Sequence, residues 1–271
     1  NPTVLSTIGL KTTGAVTVNN AVKIQGNEAE ITFALVTDST LVVATTALVV
    51  INDTPTIAEL NAISAKAGPI TATIATASAA TIDTLTTKAT DVITITINDV
   101  NDTSILATVL SSIGGKTAGV ATVSNAIIIT GSPTEVVAAI ATGATKVIAA
   151  TAKPTISGSP TVAQVNSIAA VTGVVTATVG DSASNIAGLT TAATDVITIT
   201  INDAAFDSES PVTVAATDLS TAGGSTSATV TVTNAIKISG NTAQVTAALV
   251  TTETLVVAGT ALVNITDNPT I

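Results

Sequence analysis

The nine residues DVITITIND occur twice, at 91–99 and at 195–203, 104 positions apart. A match of that length inside one chain points to an internal repeat, and a repeat constrains the fold more than any single motif. The match extends in both directions. VLSTIGLKTTGAVTVNNAVKI (4–24) aligns with VLSSIGGKTAGVATVSNAIII (109–129), and PTIAELNAIS (55–64) aligns with PTVAQVNSIA (160–169). TVTNAIKISGNTAQVTAALVTTETLVVAGTALV (231–263) aligns with TVNNAVKIQGNEAEITFALVTDSTLVVATTALV (17–49). The chain is about two and a half copies of a unit of roughly 105 residues, with a small insertion near AAFDSESPV in the second copy.

A finer rhythm runs inside each unit. Runs such as TVTV, TITI and TATI alternate polar and apolar β-branched residues, the period of a half-buried strand. They end at Asn-Asp, Gly or Gly-Ser, which favour turns. Short Ala-rich stretches follow, with helix starts expected near Asn27, Thr54, Ser78, Thr103, Ser132, Ser159 and Ser182, where a capping residue precedes Pro or an apolar run. In PTIAELNAIS, Ile57, Leu60 and Ile63 fall on one face; Val245 and Leu249 do so later. Pieces this short are not stable alone and must be held by stacking.

The expected fold is therefore a repeat solenoid over residues 1–271. Parallel β-strands would stack turn on turn with short helices on the other side, at about 23–29 residues per turn. Its units would span about 1–108 and 109–213, with a partial third at 214–271. The alternative is a tandem of cadherin-like or immunoglobulin-like β-sandwich domains, because ITITINDVNDT resembles the last strand and calcium linker of cadherin repeats. The second copy reads INDAAFDSES and breaks that linker.

Composition narrows function. There is no Cys, Met, Trp or Tyr and there are two Phe, yet 46% of residues are hydrophobic. The apolar mass is Ala, Val, Ile and Leu, which suits a thin interior filled by small aliphatic layers. The net charge is −10, and all basic residues are Lys. That argues against a nucleic-acid partner, which needs clustered cations. No apolar run is long enough for a membrane span. The start, NPTVLSTIGLK, has no signal-peptide pattern and reads as an excerpt or a processed chain. Without His or Cys, the usual nucleophile–base pairs and zinc sites are excluded. The carboxylates recur with the repeat, which suits turns rather than a single catalytic pair. No enzyme activity and no required cofactor are expected.

Calcium is the one candidate ion. Oxygen-rich loops at Asp99, Asn101 and Asp102, and at Asp203, Asp207 and Glu209, carry hard ligands. The competing role for the same residues is capping helices and closing turns. The Thr-X-Thr pairs read as the solvated face of strands.

PTVAQVNSIAAVTGVVTATVGDSASNIAGL and TDVITITINDA resemble the strand-repeat modules of very large secreted bacterial proteins, often cyanobacterial, including surface-layer-like proteins and adhesins related to the RTX class. The RTX nonapeptide G-G-x-G-x-D is absent. The resemblance implies an extracellular, self-assembling structural role in a filament, surface layer or adhesin stalk, with further repeats or copies of the chain as partners. The alternative function is a binding module of adhesin or viral-fibre type.

Overall fold

In the computed structural model, residues 1–144, 146–209 and 212–268 are described. In chain order the first copy contains α1 (Pro2–Gly9), β1 (Val16–Thr17), β2 (Lys23–Gly26), α2 (Glu28–Leu35), β3 (Val42–Val43), β4 (Leu48–Ile51), α3 (Ile57–Ser64), β5 (Ile70–Thr73), α4 (Ala79–Ile82) and β6 (Val92–Ile97). The second contains β7 (Ser104–Leu106), α5 (Ala107–Gly115), β8 (Ala121–Val123), β9 (Ile128–Gly131), α6 (Pro133–Val136), β10 (Val147–Ile148), β11 (Lys153–Ile156), α7 (Val162–Ala169), β12 (Thr176–Asp181), α8 (Ala183–Ile186) and β13 (Val196–Ile201). The partial third contains β14 (Thr213–Ala215), α9 (Ala216–Gly224), β15 (Val230–Val232), β16 (Lys237–Gly240), α10 (Thr242–Leu249), β17 (Val256–Val257) and β18 (Leu262–Ile265).

Two compact units form, residues 1–127 with 138–151, and residues 128–137 with 152–271. The first holds a six-stranded sheet in the order β10-β8-β6-β5-β4-β2 and a pair β1-β3. The second holds the run β17-β15-β13-β12-β11-β9 and the sheet β14-β16-β18. The fold is mixed α/β, and the strands pair in parallel. Parallel pairing departs from the antiparallel ladders of the β-sandwich alternative.

The alternation read in the sequence sets the two sheet faces. In β6, Ile93, Ile95 and Ile97 are buried while Val92 and Thr94 face outward. Registers place aliphatic residues over one another. Ile24 pairs with Val49 and Val49 with Ile70; Val179 pairs with Ile199 and Ile199 with Val230. All of these are buried. The layer spacing of a parallel sheet, roughly 4.8 Å, leaves room for such side chains without aromatics.

Local chemistry sets the helix starts. Asn27, Ser132 and Asn241 each accept a bond from the third helical N–H, while the Glu or Gln there reaches back to the cap, a reciprocal box. Ser78 and Ser182 cap α4 and α8 as expected. The starts expected at Thr54 and Ser159 lie two residues later, at Thr56 and Thr161. Thr56-Ile-Ala-Glu59 and Thr161-Val-Ala-Gln164 form capping boxes there, which leaves the Pro before each outside the helix. The start expected near Thr103 lies at Ala107, because Ser104–Leu106 is a strand.

Two glycines show how tightly the layers meet. A Cβ on Gly9 would stand 1.8 Å from the Thr40 carbonyl oxygen, and one on Gly223 would stand 2.1 Å from that of Thr254. Each carbonyl belongs to a 3₁₀ turn, Asp38–Thr40 or Thr252–Thr254. Both turns end on a leucine in the left-handed region, Leu41 and Leu255.

Candidate functional site: aspartates that join neighbouring elements of the repeat

Both ends of DVITITIND carry an aspartate, and each reaches back about twenty residues. At the start of the motif, Asp91 is fully buried. Its Oδ1 accepts from the Ile70 N–H (3.0 Å), and its Oδ2 accepts from the Lys88 N–H (2.8 Å) and the Ser64 hydroxyl (3.0 Å). Asp195 repeats this with the Val175 N–H (2.7 Å) and the Ala192 N–H (2.8 Å). Each carboxylate satisfies an N–H at the start of the neighbouring strand, Ile70 in β5 or Val175 just before β12, and closes the loop that leads into its own strand.

At the end of the motif, Asp99 Oδ2 accepts from the Ala79 N–H (2.7 Å), and Asp203 Oδ2 from the Ala183 N–H (2.7 Å). Ala79 and Ala183 are the first residues of α4 and α8. Their own caps, Ser78 and Ser182, accept from the third helical N–H instead. A helix leaves several N–H groups without internal partners, and the local cap and the distant carboxylate satisfy different ones. Two further helices use the same device. Asp53 accepts from the Glu28 N–H and Asp267 from the Thr242 N–H, both at 2.7 Å. Helix α6 begins with Pro133, which has no N–H to offer. The residue aligned with Asp53 in that copy is Gly158.

Charge and hydrogen bonding act together here. The Asp267 carboxyl is held below the ordinary carboxylate value by the Thr242 hydroxyl and then by its N–H. Glu135 is lowered by the Ser132 N–H and hydroxyl. Burial pushes Asp83 up, but bonds from Lys116 and Ser112 and the Lys116 charge outweigh it. Lys116 Nζ stands 2.6 Å from Asp83 Oδ1 and also donates to the Asp83 carbonyl oxygen.

Asparagines and threonines add neutral bridges. Asn61 donates to the Thr84 carbonyl oxygen (3.0 Å) and accepts from the Thr86 N–H (2.8 Å). Asn166 does the same with Gly188 and Thr190 (2.9 and 2.8 Å). Thr117 and Thr226 are buried, and their hydroxyl oxygens accept from the Ile93 and Ile197 N–H groups. None of these residues stands out in the sequence, although their recurrence at matching repeat positions was available as a signal.

The calcium candidates are placed as follows. Asp99 and Asp203 each turn one carboxylate oxygen toward a helix start. Asp102 adopts a left-handed backbone (φ 63°), and its N–H donates to the Ala126 carbonyl oxygen. In the inserted loop, the Phe206 N–H bonds the Ala235 carbonyl oxygen and its ring lies 5.2 Å from Lys237 Nζ. Asp207 Oδ1 accepts from the Glu209 N–H (3.0 Å), and both residues are exposed. Among the described residues, no three carboxylates gather closely enough to share a metal ion. Among the same residues, no helix is long and apolar enough to cross a membrane.

Comparison with known protein families, curated proteins and solved structures finds no match.

Proposed function

We propose that the chain is a solenoid that serves as a structural, non-catalytic component of an extracellular filament, surface layer or adhesin stalk. The observation that carries this reading is the recurrence of one joint. Asp91 and Asp195, and Asp99 and Asp203, tie their strands to the preceding turn through matching atoms in both copies. A device copied along the chain serves extension, since each turn presents the next with the same surface and the same bonds. Parallel strands in register and a core whose hydrophobic residues are all aliphatic support the same reading. The acidic charge favours solubility outside the cell, and the chain has neither His nor Cys to build a nucleophilic site. The partners in this reading are further repeats or copies of the chain, and no cofactor is needed.

Sedimentation velocity with negative-stain microscopy tests the proposal. The expected result is an elongated particle, with rods or ordered arrays at high concentration. A compact, near-spherical monomer with no assembly at any concentration overturns it.

A further inference from the structure

The buried aspartate that opens DVITITIND keeps different company in the two copies. In the first, Lys88 Nζ donates to the carbonyl oxygens of Ser64 (3.0 Å) and Ala67 (3.1 Å), at and just past the last residue of α3. The Ser64 hydroxyl donates to Asp91 Oδ2 (3.0 Å). The end of a helix gathers carbonyl oxygens without helical partners and carries the negative end of its dipole. A buried carboxylate lies beside it here, so both features favour an ammonium group at this place.

The second copy keeps the backbone and changes the side chains. TTKATD (86–91) becomes TTAATD (190–195), so Lys88 is matched by Ala192, and Ser64 and Ala67 are matched by Ala169 and Thr172. The Gly173 N–H bonds the Ala152 carbonyl oxygen (2.9 Å) as Gly68 bonds Ala47 (3.1 Å). Asp195 accepts from the Val175 and Ala192 N–H groups as Asp91 does from those of Ile70 and Lys88. The hydroxyl donor is gone, because Ala169 has none to offer, and the Ala192 methyl cannot reach the helix end. At this place lies a cavity of about 330 Å³, whose lining includes Ala169, Thr172, Gly173, Ala192, Thr194 and Asp195. Asp195 is 4% exposed, so a buried carboxylate with one donor fewer than its counterpart forms part of the wall. Ala192 and Thr194 are exposed and leave the cavity open to solvent on their side.

We infer that this cavity binds a primary alkylammonium group, the chemistry shared by a lysine side chain and a small free amine. Its nitrogen takes the place that Lys88 Nζ holds in the first copy and donates to the carbonyl oxygens of Ala169 and Thr172. The Asp195 carboxylate supplies negative charge on the same cavity wall, and the alkyl chain leads out past Ala192. An ammonium is a compact charge with three donors, which suits two converging carbonyl oxygens. A quaternary ammonium or a potassium ion brings the charge without the donors.

The probe is n-butylammonium, which has the carbons and the nitrogen of a lysine side chain. At pH 7 and constant ionic strength it should raise the melting temperature of the 271-residue chain by about 2–4 °C at several times its Kd, whereas tetramethylammonium and potassium should not. Ala192→Lys restores the side chain of the first copy and should remove the gain. Ala193→Lys adds the same charge one residue away, outside the cavity lining, and should keep it. Nα-acetyl-lysine amide then separates the sources: a gain equal to that of n-butylammonium assigns the cavity to a lysine side chain, and no gain assigns it to free amines. Equal gains from n-butylammonium and either control cation, a gain that survives Ala192→Lys, or one lost equally in Ala193→Lys would overturn the inference.

Discussion

Asp99 Oδ2 lies 2.7 Å from the backbone nitrogen of Ala79, twenty residues earlier, and Asp203 stands in the same relation to Ala183. Each bond joins the end of one strand to the beginning of the preceding helix. Loss of the carboxylate leaves a helix N–H without its charged acceptor. Asp99→Ala should therefore cost about 1–2 kcal/mol, measured by urea denaturation, and Asp99→Asn less, since an amide oxygen can still accept.

Asp91 should matter more. It is buried and takes three donors, two of them backbone N–H groups. Asp91→Ala removes the acceptor of all three and leaves those of Ser64 and Ile70, both buried, without one, and roughly 3 kcal/mol is expected. Denaturation of Asp91→Ala beside Asp99→Ala checks the order; equal losses would contradict it.

Close approach makes Gly9 and Gly223 intolerant of a side chain. Gly9→Ala and Gly223→Ala each drive a methyl into a backbone carbonyl, at an expected cost of about 2–3 kcal/mol. Gly115, at the end of α5, has open space around the same position. Gly115→Ala should gain about 0.5 kcal/mol from a stiffer unfolded chain. Thermal melting of the three variants separates packing from propensity.

Acid should weaken the fold on one side only. Asp83, Glu135 and Asp267 all have folded values below their ordinary 3.8, 4.5 and 3.8. Each adds stability that is present above its unfolded value and is lost as pH falls through the folded one. The melting temperature should hold above about pH 5 and fall below about pH 4, from these groups. Asp83→Asn should flatten part of that decline, read by calorimetry from pH 2 to 7.

Calcium offers a clear negative expectation. Asp99 and Asp203 already accept helix N–H groups, while Asp207 and Glu209 lie exposed on a loop. Millimolar calcium and excess chelator should give the same melting temperature; a rise of several degrees with calcium would place an ion in these loops.

Much of the local structure was legible. The alternation in VITITI marks which isoleucines are buried, because side chains on a strand point alternately to its two faces. Ser78, Ser132 and Ser182 were readable as caps from their own neighbourhood. Thr54 and Ser159 misled because a cap before Pro and a cap after it look alike until the box with Glu59 or Gln164 is recognised. The β7 strand was missed because three residues carry too little pattern to distinguish them from a helix start.

The sequence by itself determined the repeat, the alternation of strands and short helices, the aliphatic character of the interior and the positions of the recurring aspartates. Only the tertiary structure decided what those aspartates hold. Any backbone N–H can accept the role of donor, so a donor twenty residues away leaves no mark in residue identity. The same is true of the direction of strand pairing and of the contact between Gly9 and Thr40. Each is set by which turn comes to lie beside which, and that is fixed by packing and register over distances that local pattern does not encode.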